Sequence, residues 1–383
     1  MTLPDITCYR DVTPCHQNKR GTMTNDVWVL GATGRMGEAI TRELTERGIA
    51  PVLVGRSREK LDAASQATGS RTVVASSPAE MAAVIRQQRP AVVVNTVGPF
   101  RLTADELADA VLPAGHYVDL ANDLPTILSH RRRDAAARRA GHTVVTGAGF
   151  GVTATESVLT WLMADRPTPS RVRIDMIPSI ASTTGRVGEA LAGSLLDGIP
   201  DIPGGRRFQA RAIADGKLTA ARLAGNATSL VTPDDDVAIT GLMPLGELLA
   251  AQRASDAPSI ESASSEAPSG VTRFVVRGIL PLMYVTPLRR RAIRLLAKVR
   301  TTERAAPRRH SWAHARVEWP DSAASEGWLR LGDANDVTAS VAAEVASRLA
   351  TGRGTPGVYT PAELFGAELA EACGGDYSLA TES

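Results

Sequence analysis

The run Val27-Trp-Val-Leu-Gly-Ala-Thr-Gly-Arg-Met-Gly37 constrains the fold more than any other part of the chain. Four apolar residues, Val27 to Leu30, have the length and composition of a buried strand. Gly31, Gly34 and Gly37 follow at three-residue steps, and from Glu38 to Arg47 apolar and charged residues alternate with helical spacing. A strand that ends in a glycine turn and opens a helix is the context in which G-x-x-G-x-x-G receives a diphosphate. Gly31 allows the tight turn, Gly34 lets the backbone approach a phosphate, and Gly37 lets the helix lie close to the strand. The helix N-terminus then offers unpaired N–H groups to the anion. Thr33, Arg35 and Met36 lie between the glycines, so Gly31–Gly37 is the expected cofactor loop. A tight βα turn without a ligand is the plainer alternative.

The next segment selects between nicotinamide cofactors. Pro51-Val-Leu-Val-Gly-Arg-Ser-Arg58 has the pattern of a second strand. In a site that prefers NAD the strand end carries Asp or Glu for the ribose 2′-OH. Here Gly55-Arg56-Ser57-Arg58 stands there instead, with Lys60 nearby. Arg56 can pair with a 2′-phosphate in bidentate fashion, and Ser57 can donate its hydroxyl. This charge logic favours NADP(H); a solvated charged loop is the alternative.

A chain of 383 residues leads to an expectation of two domains. A net charge of +2 and 4% aromatic residues give no reason to expect nucleic acid as a partner. The 39 Arg against 4 Lys reflect a GC-rich, bacterial type of coding. Cys8, Cys15 and Cys373 form no C-x-x-C pair and cannot all pair within one chain, which favours a reducing cytoplasm. Cys8, Cys15 and His16 find no fourth ligand, so no metal is expected. No run approaches the ~18 apolar residues of a spanning helix.

Strand candidates at Val27–Leu30, Pro51–Val54, Thr72–Val74, Ala91–Thr96, Tyr117–Asp119 and Thr143–Thr146 alternate with helical patterns, the last of them Pro125–Ala140. That alternation predicts an α/β fold with a Rossmann-type, doubly wound parallel sheet, whose ligand lies at the carboxyl ends of the strands. After Gly151 the rhythm changes. Arg171–Ile180, Arg206–Arg211, Val237–Ile239, Val271–Gly278, His314–Trp319 and Gly327–Leu331 are further strand candidates without regular helices between them, which predicts a second, mixed α/β (α+β) domain. The expected organisation is a flexible leader over 1–25, a cofactor domain over 26–155, a substrate or dimerisation domain over 156–335, and C-terminal helices over 336–383 returning to the first domain. Residues 253–270, rich in Ser, Ala and Pro, are expected to form a mobile loop.

Ala91-Val-Val-Val-Asn-Thr-Val-Gly-Pro-Phe100 carries the second signal. It is a buried strand ending at Asn95, followed by a turn through Val97, Gly98 and Pro99. Gly98 permits close backbone approach, Pro99 fixes the turn, and Phe100 can wall a nicotinamide ring. An ordinary strand-end turn is the alternative.

Together, Val27–Arg58, Val93–Phe100, Gly115-His-Tyr-Val-Asp-Leu120, Gly147-Ala-Gly-Phe-Gly151 and Pro356-Gly-Val-Tyr-Thr-Pro-Ala-Glu-Leu-Phe-Gly366 resemble the saccharopine dehydrogenase-like family. That family includes saccharopine reductases, carboxynorspermidine and homospermidine synthases, and trans-acting enoyl reductases. The resemblance is strong over residues 25–160 and weak beyond. It implies a Rossmann domain, a mixed domain that supplies the substrate cleft and often a homodimer contact, and hydride transfer with NAD(P). Many relatives carry Thr-Gly-Glu after the Tyr-Val-Asp-Leu strand, where this chain has Ala121-Asn122-Asp123.

Asn122 and Asp123 are therefore the candidate catalytic pair, Asp123 to hold a substrate amine or relay a proton. The competing reading makes Asp123 a helix N-cap before Leu124-Pro125. His116, Tyr117, His142, His310 and His314 are proton-donor candidates by residue type alone, and no Tyr-x-x-x-Lys pair occurs. Phe150, in the last glycine turn, and Arg186, which can anchor a carboxylate, are the candidate substrate contacts. Residues 289–309 hold eight Arg and one Lys against Glu303. They suit either a solvated lid or a basic amphipathic helix that meets an anionic membrane or an acidic carrier protein. The expected activity is NADPH-dependent reduction of an imine of an amino-acid or amine-derived small molecule. Reduction of an activated C=C on a lipid or polyketide intermediate is the alternative within enzymes, and an NADP-binding scaffold or sensor without turnover is the alternative outside them.

Overall fold

Burial along the first strand shows how the larger sheet is built. In β1 (Thr24–Leu30), Val27 and Val29 enter one apolar layer while Trp28 and Leu30 enter the other. β4 (Pro90–Asn95) repeats the pattern, with Val92 and Val94 on the first side and Val93 on the second. A strand covered on both faces is a continuous apolar run, which is why these segments lack polar alternation. The computed structural model describes residues 24–164, 166–181, 185–186, 192–193, 196, 202–270 and 282–380. Most of the expected leader and the strand expected at Val271–Gly278 lie outside them.

The remaining strands of this sheet are β2 (Val52–Gly55), β3 (Thr72–Val74), β5 (His116–Asp119), β6 (Thr143–Val145) and the C-terminal β17 (Gly357–Tyr359). The order is β17-β6-β5-β4-β1-β2-β3, all neighbours parallel. This is the doubly wound order, with its crevice at the carboxyl ends of β1 and β4. Helices α1 (Arg35–Glu46) and α2 (Arg58–Thr68) follow β1 and β2. α3 (Pro78–Gln88) and α4 (Phe100–Val111) pack together over the layer that holds Trp28. The expected single helix Pro125–Ala140 is two, α5 (Leu124–Arg131) and α6 (Asp134–Ala140). The break frees Asp134 to accept the N–H of Val358 at 3.0 Å, so α6 holds β17 against the sheet edge.

α7 (Phe150–Met163) is buried along nearly its whole length, because it packs against a second sheet and against helices from later in the chain. The second sheet runs β10 (Lys217–Ala221), β9 (Ala210–Ala214), β13 (Ser259–Ser264), β7 (Arg171–Ile177), β15 (Ser311–Glu318), β16 (Ala324–Leu331), β18 (Asp376–Leu379). β12 (Val237–Leu242) also pairs with β13 and carries β11 (Thr228–Val231). β7 and β13 are parallel and β7 and β15 antiparallel, so the sheet is mixed. A short ladder joins β8 (Gly185–Arg186) to β14 (Arg300–Thr301).

The loop expected over 253–270 is corrected by this sheet. The segment contains the end of α8 (Glu247–Ser255) and all of β13, an interior strand. Its Ser and Ala residues are small because the strand is buried on both sides; Ser262, Ala263 and Ser264 have at most 2% exposure. Low side-chain volume there marks close packing, not absence of a core.

Among the described residues three later helices follow α9 (Thr286–Lys298): α10 (Ala334–Ala350), α11 (Pro361–Phe365) and α12 (Glu368–Ala372). α10 lies against α1 and the β4–β5 region, burying Ala339, Ala342, Ala343 and Ala346. Small side chains let it approach closely. The Thr-Pro-Ala-Glu run of the tail is a capping box at α11, with Thr360 and Glu363 satisfying each other's backbone N–H groups. Glu156 of α7 closes the same end, accepting from Thr360 Oγ1 at 2.5 Å and Ala362 N at 3.0 Å.

Candidate functional site

Where β1 ends, the chain turns at Gly31, whose φ of +75° favours glycine. The N–H groups of Gly31 and Ala32 both donate to Val54 O, tying the turn to β2. A Cβ on Gly37 would stand 2.2 Å from Gly31 O, so only glycine lets α1 start this close to the strand. α1 begins at Arg35 with Gly34 as its N-cap, and no side chain caps it. Gly34 and Arg35 are exposed, and Thr33 and Met36 are half-buried beside them. The first N–H groups of the helix therefore lack a side-chain acceptor and carry the positive end of its dipole. A helix end of this kind can receive an anion.

At the end of β2, Arg56 is exposed, and no hydrogen bond or ion pair engages its side chain among the described residues. Ser57 is the N-cap of α2 and accepts from Lys60 N at 3.4 Å. Asn95 is fully buried, with its Nδ2 donating to Tyr117 Oη and its Oδ1 accepting from Val97 N, both at 2.9 Å. It shapes the turn and has no exposed surface for a cofactor. Val97, Gly98, Pro99 and Phe100 are half-buried and border the same edge, with Thr103 Oγ1 donating to Val97 O at 2.5 Å.

Beneath the next crossover lies a carboxylate that sequence reasoning placed only at the end of a strand candidate. Asp119 is fully buried and paired with His130 Nε2 at 2.8 Å. Its other oxygen accepts from Ala121 N, Thr146 Oγ1 and Gly147 N. One side chain thus fixes the turns after β5 and β6 together. Asp123 is the N-cap of α5 and accepts from Thr126 N at 2.9 Å and Thr126 Oγ1 at 2.7 Å. Burial raises its pKa, and the Thr126 bonds oppose the rise. Its backbone also forms a bridge with Leu245 of the second domain.

Asn122 is half-buried and joins the two domains. Its Nδ2 donates to Glu247 Oε1 at 3.0 Å, and its Oδ1 accepts from Gly246 N at 3.0 Å. Glu247 opens α8 with its Oε2 buried and unbonded among the described residues. Burial pushes this carboxyl up to about 7. Gly151 makes room for it, since a Cβ there would stand 2.2 Å from Glu247 Oε1. No local pattern marks Glu247; its partner is 125 residues away.

The remaining expected residues are placed differently. Phe150 is 4% exposed and belongs to the apolar core, while its N–H donates to Thr338 Oγ1 at 3.0 Å. It is a packing residue and does not face a cleft. The backbone of Arg186 pairs with Arg300, and its side chain lies outside the described residues. Among the histidines, His116 is lowered to about 4 by burial and by His142, and its Nδ1 accepts from Thr143 N. His310 bonds Asp234 at 2.6 Å. His314 lies in the second sheet between Asp175 at 3.0 Å and Glu326 at 2.9 Å; burial opposes its charge, but these two acids raise its pKa. Tyr117 is fully buried, and burial raises its pKa.

Residues 31–122 match the family described as NAD(P)H-binding. No curated protein matches the chain in sequence. Among solved structures, the apo form of saccharopine dehydrogenase (L-Glu forming) from Saccharomyces cerevisiae is similar at a TM-score of 0.58 and 12% identity, covering 93% of this chain and 100% of that one. A probable dehydrogenase from Thermotoga maritima covers 90% of this chain and 94% of its own at a TM-score of 0.43 and 11% identity. The chain thus has an NAD(P)-binding Rossmann domain within the fold of saccharopine dehydrogenase. No helix among the described residues is long and apolar enough to cross a membrane.

Proposed function

We propose that this protein is an NADPH-dependent oxidoreductase of the saccharopine dehydrogenase-like type, acting in the cytoplasm on a small molecule bound between the two sheets. The observation that carries the reading is the N-terminus of α1, which no side chain caps, beside the guanidinium of Arg56, which has no partner among the described residues. The first suits a diphosphate and the second a 2′-phosphate. When bound, the nicotinamide supplies the hydride. The protein's part is to hold and orient. Gly31–Gly37 hold the diphosphate, Arg56 holds the adenosine-side phosphate, and the Val97–Phe100 turn borders the reacting end. Asn122, fixed by Glu247 and Gly246, keeps one N–H for a substrate atom.

The preferred acceptor is the C=N bond of an imine formed from an amino acid or amine. The likeness to an enzyme named for an amino-acid substrate supports this choice. Reduction of a C=C on a lipid or polyketide intermediate is the second reading, favoured by the exposed apolar side chains of α9. The test follows NADPH absorbance against panels of amine–ketone pairs and enoyl thioesters. Turnover of the first panel is expected. Turnover of the second alone would move the reaction to C=C reduction, and tight NADPH binding without turnover of either would make the protein a sensor.

A further inference from the structure

The outward side of α9 has a division of labour that cofactor chemistry does not use. Its underside is anchored by Ala297 and by Arg289, which is buried and donates to Met283 O at 2.7 Å. On the outer side, Leu288, Leu295 and Val299 are 46%, 59% and 48% exposed. Their spacing of seven and then four residues stacks them into one apolar stripe. Arg291, Arg294 and Lys298 follow along one flank of that stripe, and all three are exposed. Just before the helix, Leu282, Tyr284 and Val285 extend the apolar surface at 53%, 48% and 48% exposure. Tyr284 is oriented by an edge-on contact with Phe208 at 5.0 Å. No acidic residue occurs from 282 to 302.

We propose that α9 docks the protein on an anionic membrane surface, lying in the plane of the headgroups with the Leu288–Leu295–Val299 stripe inserted and its cations on lipid phosphates. The chemistry is that of an interfacial helix, in which apolar burial and attraction to anionic lipid act together. Charge argues against a second copy of this chain as the occupant, because a two-fold pairing through this face sets its own cations against each other. An acidic protein with an apolar groove is the competing occupant, and the vesicle experiment separates the two. The chain's overall charge is only +2, so the basic surface is local to this segment.

The test is co-sedimentation of the full chain with vesicles of phosphatidylcholine alone or mixed with phosphatidylglycerol. The expected result is sedimentation with the anionic vesicles, weakened by salt, and none with the neutral ones. Leu295→Asp should abolish it. Arg291→Ala with Lys298→Ala should weaken it about thirty-fold. Both variants change exposed side chains and should keep the wild-type circular dichroism and melting temperature. The proposal is overturned by absence of sedimentation with anionic vesicles or by undiminished binding of Leu295→Asp. It is equally overturned if Leu295→Asp abolishes self-association or capture of an acidic carrier protein while vesicles bind neither form.

Discussion

After β1 the chain enters α1 through Gly34, an N-cap with no side-chain bond; after β5 it enters α5 through Asp123, whose carboxylate accepts two bonds from Thr126. Both crossovers leave the same edge of one parallel sheet. The first helix end keeps its positive potential for a ligand, and the second is neutralised by its own chain. Beside α1 stands Arg56 with no partner among the described residues, whereas beside α5 Asn122 is tethered to Glu247 and Gly246. One crossover leaves its helix end open to an anion. The other is arranged to hold two domains together.

The largest effect expected from breaking this contrast is at Asp119, which holds the second crossover in shape. Asp119→Ala leaves His130 buried without its partner and should cost about 3–5 kcal/mol in urea unfolding. A loss below about 1 kcal/mol would mean that the pair does not organise this edge.

The joint itself should respond to pH. Glu247 is raised by burial to about 7 from an ordinary 4.5, so the folded state holds a proton that the unfolded state releases. That stabilisation is complete below about pH 4.5 and is lost as pH rises to 7, amounting to roughly 3 kcal/mol. Glu156, also raised by burial to about 7, acts with the same sign. Denaturation at pH 5 and pH 7.5 should show the fall, and Glu247→Gln should remove about its share. An unchanged slope in that variant would place the titration elsewhere.

At the first crossover, Arg56→Ala should weaken NADPH binding about ten- to a hundred-fold, the worth of a hydrogen bond to a charged group. NADH should be little affected. Equal weakening of the two would remove Arg56 from the 2′-phosphate. The smallest effect belongs to Asp123→Ala, which should cost about 1 kcal/mol as a lost cap and leave turnover nearly intact. A fall in turnover of about a hundred-fold or more at unchanged melting temperature would turn the cap into a proton relay.

Much of the first crossover was legible because its information is local. Glycine spacing, flanking periodicity and the residue type at the end of β2 all fall within Val27–Arg58, and short-range rules read them. The cap at Asp123 was also visible as an alternative, since Leu124-Pro125 follows it. The interdomain joint was not legible. Asn122 and Glu247 meet across 125 residues, and a Gly-Glu pair at a helix start is common chemistry. β13 was missed for another reason. Its Ser and Ala residues have the composition of a loop, and only the crowding between neighbouring strands explains them. Phe150 was misplaced because a glycine turn says nothing about which way the next side chain packs.

The most direct measurement is calorimetric titration of NADPH into the wild-type protein and a Gly34→Asp variant. Gly34 has φ of −94° and ψ of 162°, values open to any residue, and a Cβ there would stand 3.3 Å from Gly31 O, so aspartate can serve as an N-cap, as Asp123 does on α5, once that turn gives slightly. The account predicts one saturable site in the wild type and its loss in the variant, with the variant still folded and its melting temperature close to the wild-type value. Undiminished NADPH binding by Gly34→Asp, or no binding by the wild type, would contradict it.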